Sequence, residues 1–411
     1  MEILKSLRAI SFSKIADIEK RTFLYLCGFS FFLPLSKAAG NIFLALAILG
    51  MIHRLFLKSN DVKIFFQKYK KIFGAILILL AAVFISALTS ADVFFGVKKF
   101  IEKYILHIAA MLPVLCISCS KEKIFTLAKL LLAGVFFSNV IVIAQGILHF
   151  DEAWRFGGTL TIMTQGSLLA VFLPIYAILI MHVKNYRLKI FLIAATVVGF
   201  CALLFNGTRG VWLSTLFLIP AVILIYAKNK MKSLVAIFAI LATAGGIFFV
   251  TPNLSARFWT VTDMQMQSNS ERLLMWQSAL NMFKDNPVFG VGYGQYKFAY
   301  QNEYILPEAK ERSQEHAHNN IFQMLAECGI AGAAAFIFLW GYFSYFSLNT
   351  WFKEKNIAWL LYFCVIWGTM LHGLTEFNFE TSVTSKIFWY TLGLCIAYSS
   401  TQKFNGGVNN F

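Results

Sequence analysis

Runs of about 20 mostly apolar residues, the length that carries a helix across a bilayer, recur along this 411-residue chain. They predict about twelve spanning helices, at 22–38, 41–57, 72–90, 104–118, 124–148, 161–182, 188–205, 210–227, 233–250, 318–347, 357–374 and 385–401. The polar stretches between them are short, with one exception at residues 251–317. That interval is rich in Trp, Tyr and Phe and contains the turn-forming "NPVFGVGYG" at 286–294, a composition that argues for order. Within it, "ERLLMWQSALNMF" places Leu273, Trp276, Leu280 and Phe283 at helical spacing. The stripe predicts a helix lying on the membrane surface or capping the bundle, or else a small ordered subdomain outside the bilayer. The layout is therefore 1–250 (nine spans), 251–317 (a partly helical loop) and 318–411 (three spans).

Composition agrees with an all-α integral membrane protein: 58% of residues are hydrophobic, 14% are charged and the mean hydropathy is +0.67. Too few charges remain to coat the outer faces of a soluble helical domain. Lys and Arg outnumber Asp and Glu by 36 to 20. With a cytoplasmic N-terminus, the segments 1–21, 53–71, 119–123, 183–189, 228–232, 349–356 and 402–411 face inward. They hold 22 of the basic and 6 of the acidic residues, which is the whole excess of +16. The basic balance is thus a topology signal, N-in and C-in, and not a nucleic-acid signal. The first apolar run follows a basic segment without a small-residue cleavage site, so it reads as an uncleaved anchor. The seven cysteines lie in or beside apolar runs. Cys116 and Cys119 have no second pair to complete a metal site, so all seven read as small buried hydrophobes.

That topology gathers several isolated polar residues at the outer face. Arg155 in "DEAWRFGGT", Arg209 in "FNGTRGVWLS", Arg272 on the loop helix, His318 at the mouth of the tenth span and Glu376 in "HGLTEFNFE" come from five distant stretches. A guanidinium presents a permanent charge and a planar fork of donors suited to phosphate oxygens, so arginines at the bilayer edge could hold a lipid diphosphate. His318 could accept a hydroxyl proton near neutral pH, or simply donate hydrogen bonds at a helix end. Read as helical, His316 and His318 point to different faces, and no metal-type spacing accompanies them, so no metal is expected. Asn319, Gln323 and Glu327 recur every fourth residue as a polar stripe, and polar groups within a membrane face the bundle interior. Gly329 and Gly332, among alanines, suit close helix packing.

Three stretches, "FNGTRGVWLS" (205–214), "ERLLMWQSALNMFKDNPVFGVGYGQY" (271–296) and "HAHNNIFQMLAECGIAG" (316–332), together resemble the O-antigen ligase and polymerase family. Its members are bacterial inner-membrane glycosyltransferases that use undecaprenyl-diphosphate-linked glycans. The resemblance implies that His318 activates the acceptor hydroxyl and that Arg209 and Arg272 contact the donor diphosphate at the periplasmic face. Arg155 is a less clear third contact, with His316, Asn319, Gln323 and Glu376 supporting. It implies inversion at the anomeric carbon, no metal and no cofactor. Chain length and the single large loop look most like a ligase, with lipid A-core as acceptor. A polymerase, a protein O-oligosaccharyltransferase and a transporter of polyprenyl-linked sugars are the alternatives.

Overall fold

The computed structural model describes residues 2–57, 67–117, 119–149, 155–235, 237–238, 259–260, 263 and 266–404. Among these the chain is helical and forms no strand, as it must where hydrocarbon offers the backbone no hydrogen-bond partner. In chain order the helices are α1 (Glu2–Phe32), α2 (Lys37–Leu57), α3 (Lys70–Leu88), α4 (Val93–Phe100), α5 (Leu106–Ile108), α6 (Leu112–Cys116), α7 (Lys121–Leu148) and α8 (Ile162–His182). They continue as α9 (Tyr186–Asn206), α10 (Arg209–Tyr226), α11 (Gln267–Asp285), α12 (Tyr296–Ala299), α13 (Asn320–Glu354), α14 (Ile357–His372) and α15 (Ser382–Phe404). Seven of them (α2, α3, α7, α8, α9, α10 and α13) are long and apolar enough to cross a membrane, and α14 is a shorter apolar helix.

Eleven of the twelve predicted segments overlap helices, while the ninth, 233–250, lies almost wholly outside the described residues. Two differ in kind. The first extends back to Glu2. The fourth starts earlier, at Val93, and is broken by a π-helical turn at Ile101–Ile105 and a 3-10 turn at Ala109–Met111. Side-chain caps fix several starts: Ser120 for α7, Thr161 for α8, Asn185 for α9, Asn319 for α13 and Asn356 for α14 each accept a backbone N–H of the first turn.

α8 is the central helix, with 78% of its apolar window buried. It packs on α9, α10 and α14, while α1 and α2 form a hairpin clasped by a 3.0 Å Arg54–Glu19 ion pair. The loop helix α11 caps the bundle by resting on α13. Its buried face is Glu271, Met275, Ser278, Ala279 and Met282, one position round from the predicted stripe, and Leu273 is 43% exposed. Trp276 alone of that stripe makes a close attachment, stacking on Phe322 with ring centroids 5.2 Å apart.

α13 is not continuous. At Gly329 the backbone takes φ 61° and ψ −157°, a conformation that only glycine adopts freely. This break, and not close helix packing, is what the glycine serves. Residues 287–292 fill it: Val291 N donates to Ala326 O at 2.9 Å, Gly292 N to Glu327 O at 3.1 Å, and Ile330 N to Pro287 O at 2.9 Å. Ser86 Oγ adds a 2.7 Å bond to Glu327 O. The "NPVFGVGYG" stretch is thus a strap wedged into a broken helix. Gly290 (φ +69°) passes so close that a Cβ there would stand 2.4 Å from the Glu327 carbonyl carbon. Gly290→Ala is therefore expected to cost at least ~1–2 kcal/mol from the backbone conformation alone. It should lower the thermal unfolding temperature in detergent, whereas Gly341→Ala, with nothing within 4 Å of its Cβ, should not.

Candidate active site

The residues ahead of α13 are pinned from both sides. Asn319 caps the helix, accepting from Ile321 N (2.8 Å) and Phe322 N (3.1 Å), and its amide donates to Leu374 O at 2.8 Å. Asn320 N donates to Gly373 O at 2.8 Å. Its side chain pairs with Asn378, donating to Oδ1 at 2.9 Å and accepting from N at 3.1 Å. On the other side Gln323 Oε1 accepts from Ala317 N (2.7 Å), and Trp276 Nε1 donates to Ala317 O (2.9 Å). Held between them, His318 adopts φ +50°, a left-handed conformation uncommon outside glycine.

The strained backbone aims the His318 ring at the 373–381 loop, where Nδ1 lies 3.0 Å from Glu376 Oε2. The histidine side chain is 22% exposed and the carboxylate 7%. Burial opposes ionisation of Glu376, but the bond and charge of His318, with the charges of His316 and His372, outweigh it and hold the carboxyl at about 2. An ionised carboxylate only accepts, so His318 Nδ1 carries a proton, and in the neutral ring Nε2 is the proton-accepting atom. This is the arrangement by which a carboxylate fixes the tautomer of a general-base histidine.

His316 does not point away. The 316–318 stretch precedes the helix, so the helical-face argument against a His316–His318 pair fails. The two rings lie 4.4 Å apart, edge to face, and the ring of Phe377 lies 5.5 Å from His316. One nitrogen from each histidine and one oxygen of Glu376 fall within 4.8 Å of one another, a donor set able to hold a metal ion. His316 Nδ1 is buried without a hydrogen-bond partner. Burial, then the charge of His318, pushes its pKa down to about 4.

The arginines divide. Arg209 is engaged by protein groups: it donates to Thr260 O, to Thr260 Oγ1 and Ser268 Oγ (both 2.9 Å) and to Asn269 Oδ1 (2.8 Å). It thereby ties the start of α10 to the start of α11. Arg155 reaches across the α9–α10 junction to Thr208 Oγ1 (2.9 Å) and Asn206 O (3.3 Å). Arg272 has its Nε buried with no partner. The charges of Arg272, Arg155 and Glu376 all act on His372, a fully buried histidine whose Nδ1 lies 2.9 Å from Ser167 Oγ. The structure thus joins His316, His318 and Glu376, holds Arg155 and Arg209 on protein groups, and leaves Arg272 Nε buried without a partner.

His372, Asn320 and Asn378 were not singled out from the sequence. The signal was the polar content of "HGLTEFNFE" at the end of an apolar run, where His372, Asn378 and Glu380 accompany Glu376. Glu327, ambiguous in the sequence, accepts from Tyr296 N at 3.0 Å and so anchors the strap.

These features define a multi-pass helical membrane protein with a polar site gathered at one end of the bundle. Residues 194–337 match the family model described as O-antigen ligase, which supports the chain's place in the O-antigen ligase and polymerase family. The match takes in Arg209, Arg272, His316, His318 and the strap, and ends before Glu376. It implies a glycosyltransferase-like enzyme of O-antigen processing, acting on lipid-linked glycan. Among curated proteins, none matches the chain.

The depressed His316 pKa has a testable sign. An unfolded histidine takes up its proton near pH 6.5, while the buried ring resists until about 4. Stability is therefore lost as pH falls from 6.5 to 4, by up to roughly 3 kcal/mol, and is level below that window. Thermal unfolding of His316→Phe should show a shallower decline than the wild type across this window.

Proposed function

We propose that the chain transfers an O-antigen glycan from undecaprenyl diphosphate to the lipid A-core oligosaccharide at the periplasmic face of the bacterial inner membrane. The observation that carries this reading is the 3.0 Å His318–Glu376 pair at the mouth of α13. It engages Nδ1 of a partly exposed imidazole and leaves Nε2 outside that bond. His318 Nε2 takes the proton of the acceptor hydroxyl as its oxygen attacks the anomeric carbon. A new glycosidic C–O bond forms, the bond from that carbon to the diphosphate breaks, and undecaprenyl diphosphate leaves with the electron pair. A single displacement inverts the anomeric configuration.

Charge then grows on the leaving diphosphate and calls for cations already in position. Arg272, with its unpartnered Nε, is the best-placed donor, and Arg155 is the second. Arg209 acts mainly by holding α11, and therefore Arg272, in place. Two imidazoles and a carboxylate supply base and orientation without a metal ion in this scheme. His316, buried and neutral above about pH 4, presents an uncharged wall to the base. The crowding of polar groups at one end favours transfer over transport, because a transporter needs a polar site near the midplane open to both faces in turn.

His318→Ala should lower transfer by about 10²–10⁴-fold with protein level unchanged, the usual worth of a general base. Glu376→Gln keeps a hydrogen-bonding partner but removes the charge, and should fall by at least about tenfold. Arg272→Lys should outperform Arg272→Ala, because the charge survives and the fork does not. The readout is the lipopolysaccharide ladder in ligase-null and polymerase-null bacteria. Restoration only in the first supports ligation, restoration only in the second makes the enzyme a polymerase, and full activity of His318→Ala removes the mechanism.

A further inference from the structure

A second set of cations lies at the same end of the bundle, on the side formed by α2, the broken 93–116 segment and α15. Lys386, one turn into α15, is only 5% exposed. Its ammonium donates to Asn41 Oδ1 and, at 2.8 Å, to Ser382 Oγ, both uncharged. His107, 3% exposed, keeps its Nδ1 without a hydrogen-bond partner. Lys37 opens α2 and is exposed, and Lys103 sits half-buried on the π-helical turn. Lys37 stands four residues before Asn41 on α2, Lys103 stands four residues before His107, and the 106–111 stretch packs on α15, so all four groups share one locale.

Among the described residues no ion pair joins Lys37, Lys103 or Lys386 to a carboxylate. The carboxylates nearest by sequence and fold are otherwise placed: Glu102 precedes Lys103 on the π-helical turn, and Glu380 accepts from Tyr293 OH at 2.8 Å. A buried ammonium beside a buried imidazole, with two further lysines at the edge of the same locale, is costly unless an anion joins them. The locale runs from exposed Lys37 and Asn41 inward to Lys386. Next to Asn41, Ile42 presents an apolar surface that is 61% exposed. A ligand here meets cations at its head and hydrocarbon beside it.

We propose that Lys37, Lys103 and Lys386 form a binding site for the phosphate headgroup of a lipid, with Asn41, Ser382 and His107 completing its hydrogen bonds. The site is distinct from the His318–Glu376 centre: none of its hydrogen bonds runs to that pair. It goes beyond the transfer reading and stands or falls without it, since binding is measured with no glycan present.

The experiment is native mass spectrometry of the full-length protein in neutral detergent. The probes are phosphatidic acid, diacylglycerol with the same acyl chains, and inorganic phosphate as competitor. Phosphatidic acid should give a saturable adduct that diacylglycerol does not. Lys386→Gln should weaken it about tenfold, equivalent to 1.4 kcal/mol. Lys37→Gln, at the exposed mouth, should weaken it in the same sense and serves if the buried variant fails to fold. Competition by inorganic phosphate would assign the site to the anion alone, while indifference to it would assign the site to a lipid-borne phosphate. Equal binding of diacylglycerol, or undiminished binding by the folded variants, overturns the proposal.

Discussion

The break in α13 is the constraint on which the rest of the architecture depends. In a low-dielectric bundle an unpaired backbone carbonyl costs several kcal/mol, and Gly329 interrupts the ladder that would otherwise satisfy Ala326 and Glu327. The strap supplies the missing donors and takes carbonyl partnerships in return. Once the strap is seated, Tyr296 and the helices beside it have fixed positions, and α11 is carried onto the mouth of α13. Trp276 then reaches Ala317, and the 316–318 stretch has no freedom left. A defect in a long apolar helix is thus what allows the strap and α11 to position a histidine to within hydrogen-bonding precision.

The same logic explains why imidazoles stand where the chain enters the bilayer. Three histidines and one carboxylate occupy a small, largely buried volume. Were all three rings charged, their repulsion would outweigh the single anion. Burial keeps His316 neutral, and Glu376 remains ionised despite burial chiefly because the hydrogen bond from His318 favours its charge. One imidazole held through Nδ1 by a carboxylate is the result. That balance needs low dielectric behind the site and water in front of it, a condition met at the end of an apolar helix bundle.

Much of this was legible in the sequence, for physical reasons that also mark its limits. Spanning helices announce themselves by apolar run length, and α13 and α14 fall close to their predicted places. His318 and Glu376 could be assigned to one face because loop order and charge bias fix which end each occupies. Their contact could not, since it depends on the positive φ of His318 and on asparagine pairings 58 residues apart in sequence. The interruptions at 101–111 were hidden because π and 3-10 turns keep the apolar composition of a regular helix. Gly329 looked like a packing residue for the same reason. The error over "HAH" came from extending α13 two residues too far, although Asn319 ahead of an apolar run is itself a start signal.

The arginines show how far residue type alone carries a site. The sequence pointed to Arg209 and Arg272 as diphosphate contacts, with Arg155 a less clear third, but geometry separates the first two by what already occupies each fork. Arg209 satisfies its donors on Thr260, Ser268 and Asn269, so its contribution passes through the placement of α11. Arg272, one turn along that helix, retains a buried donor with nothing to bind. A buried charge with an unmet donor is unfavourable in the resting protein and becomes favourable when an anion arrives. The asymmetry is structural: one cation builds the frame, and another keeps a buried donor that the frame leaves unsatisfied.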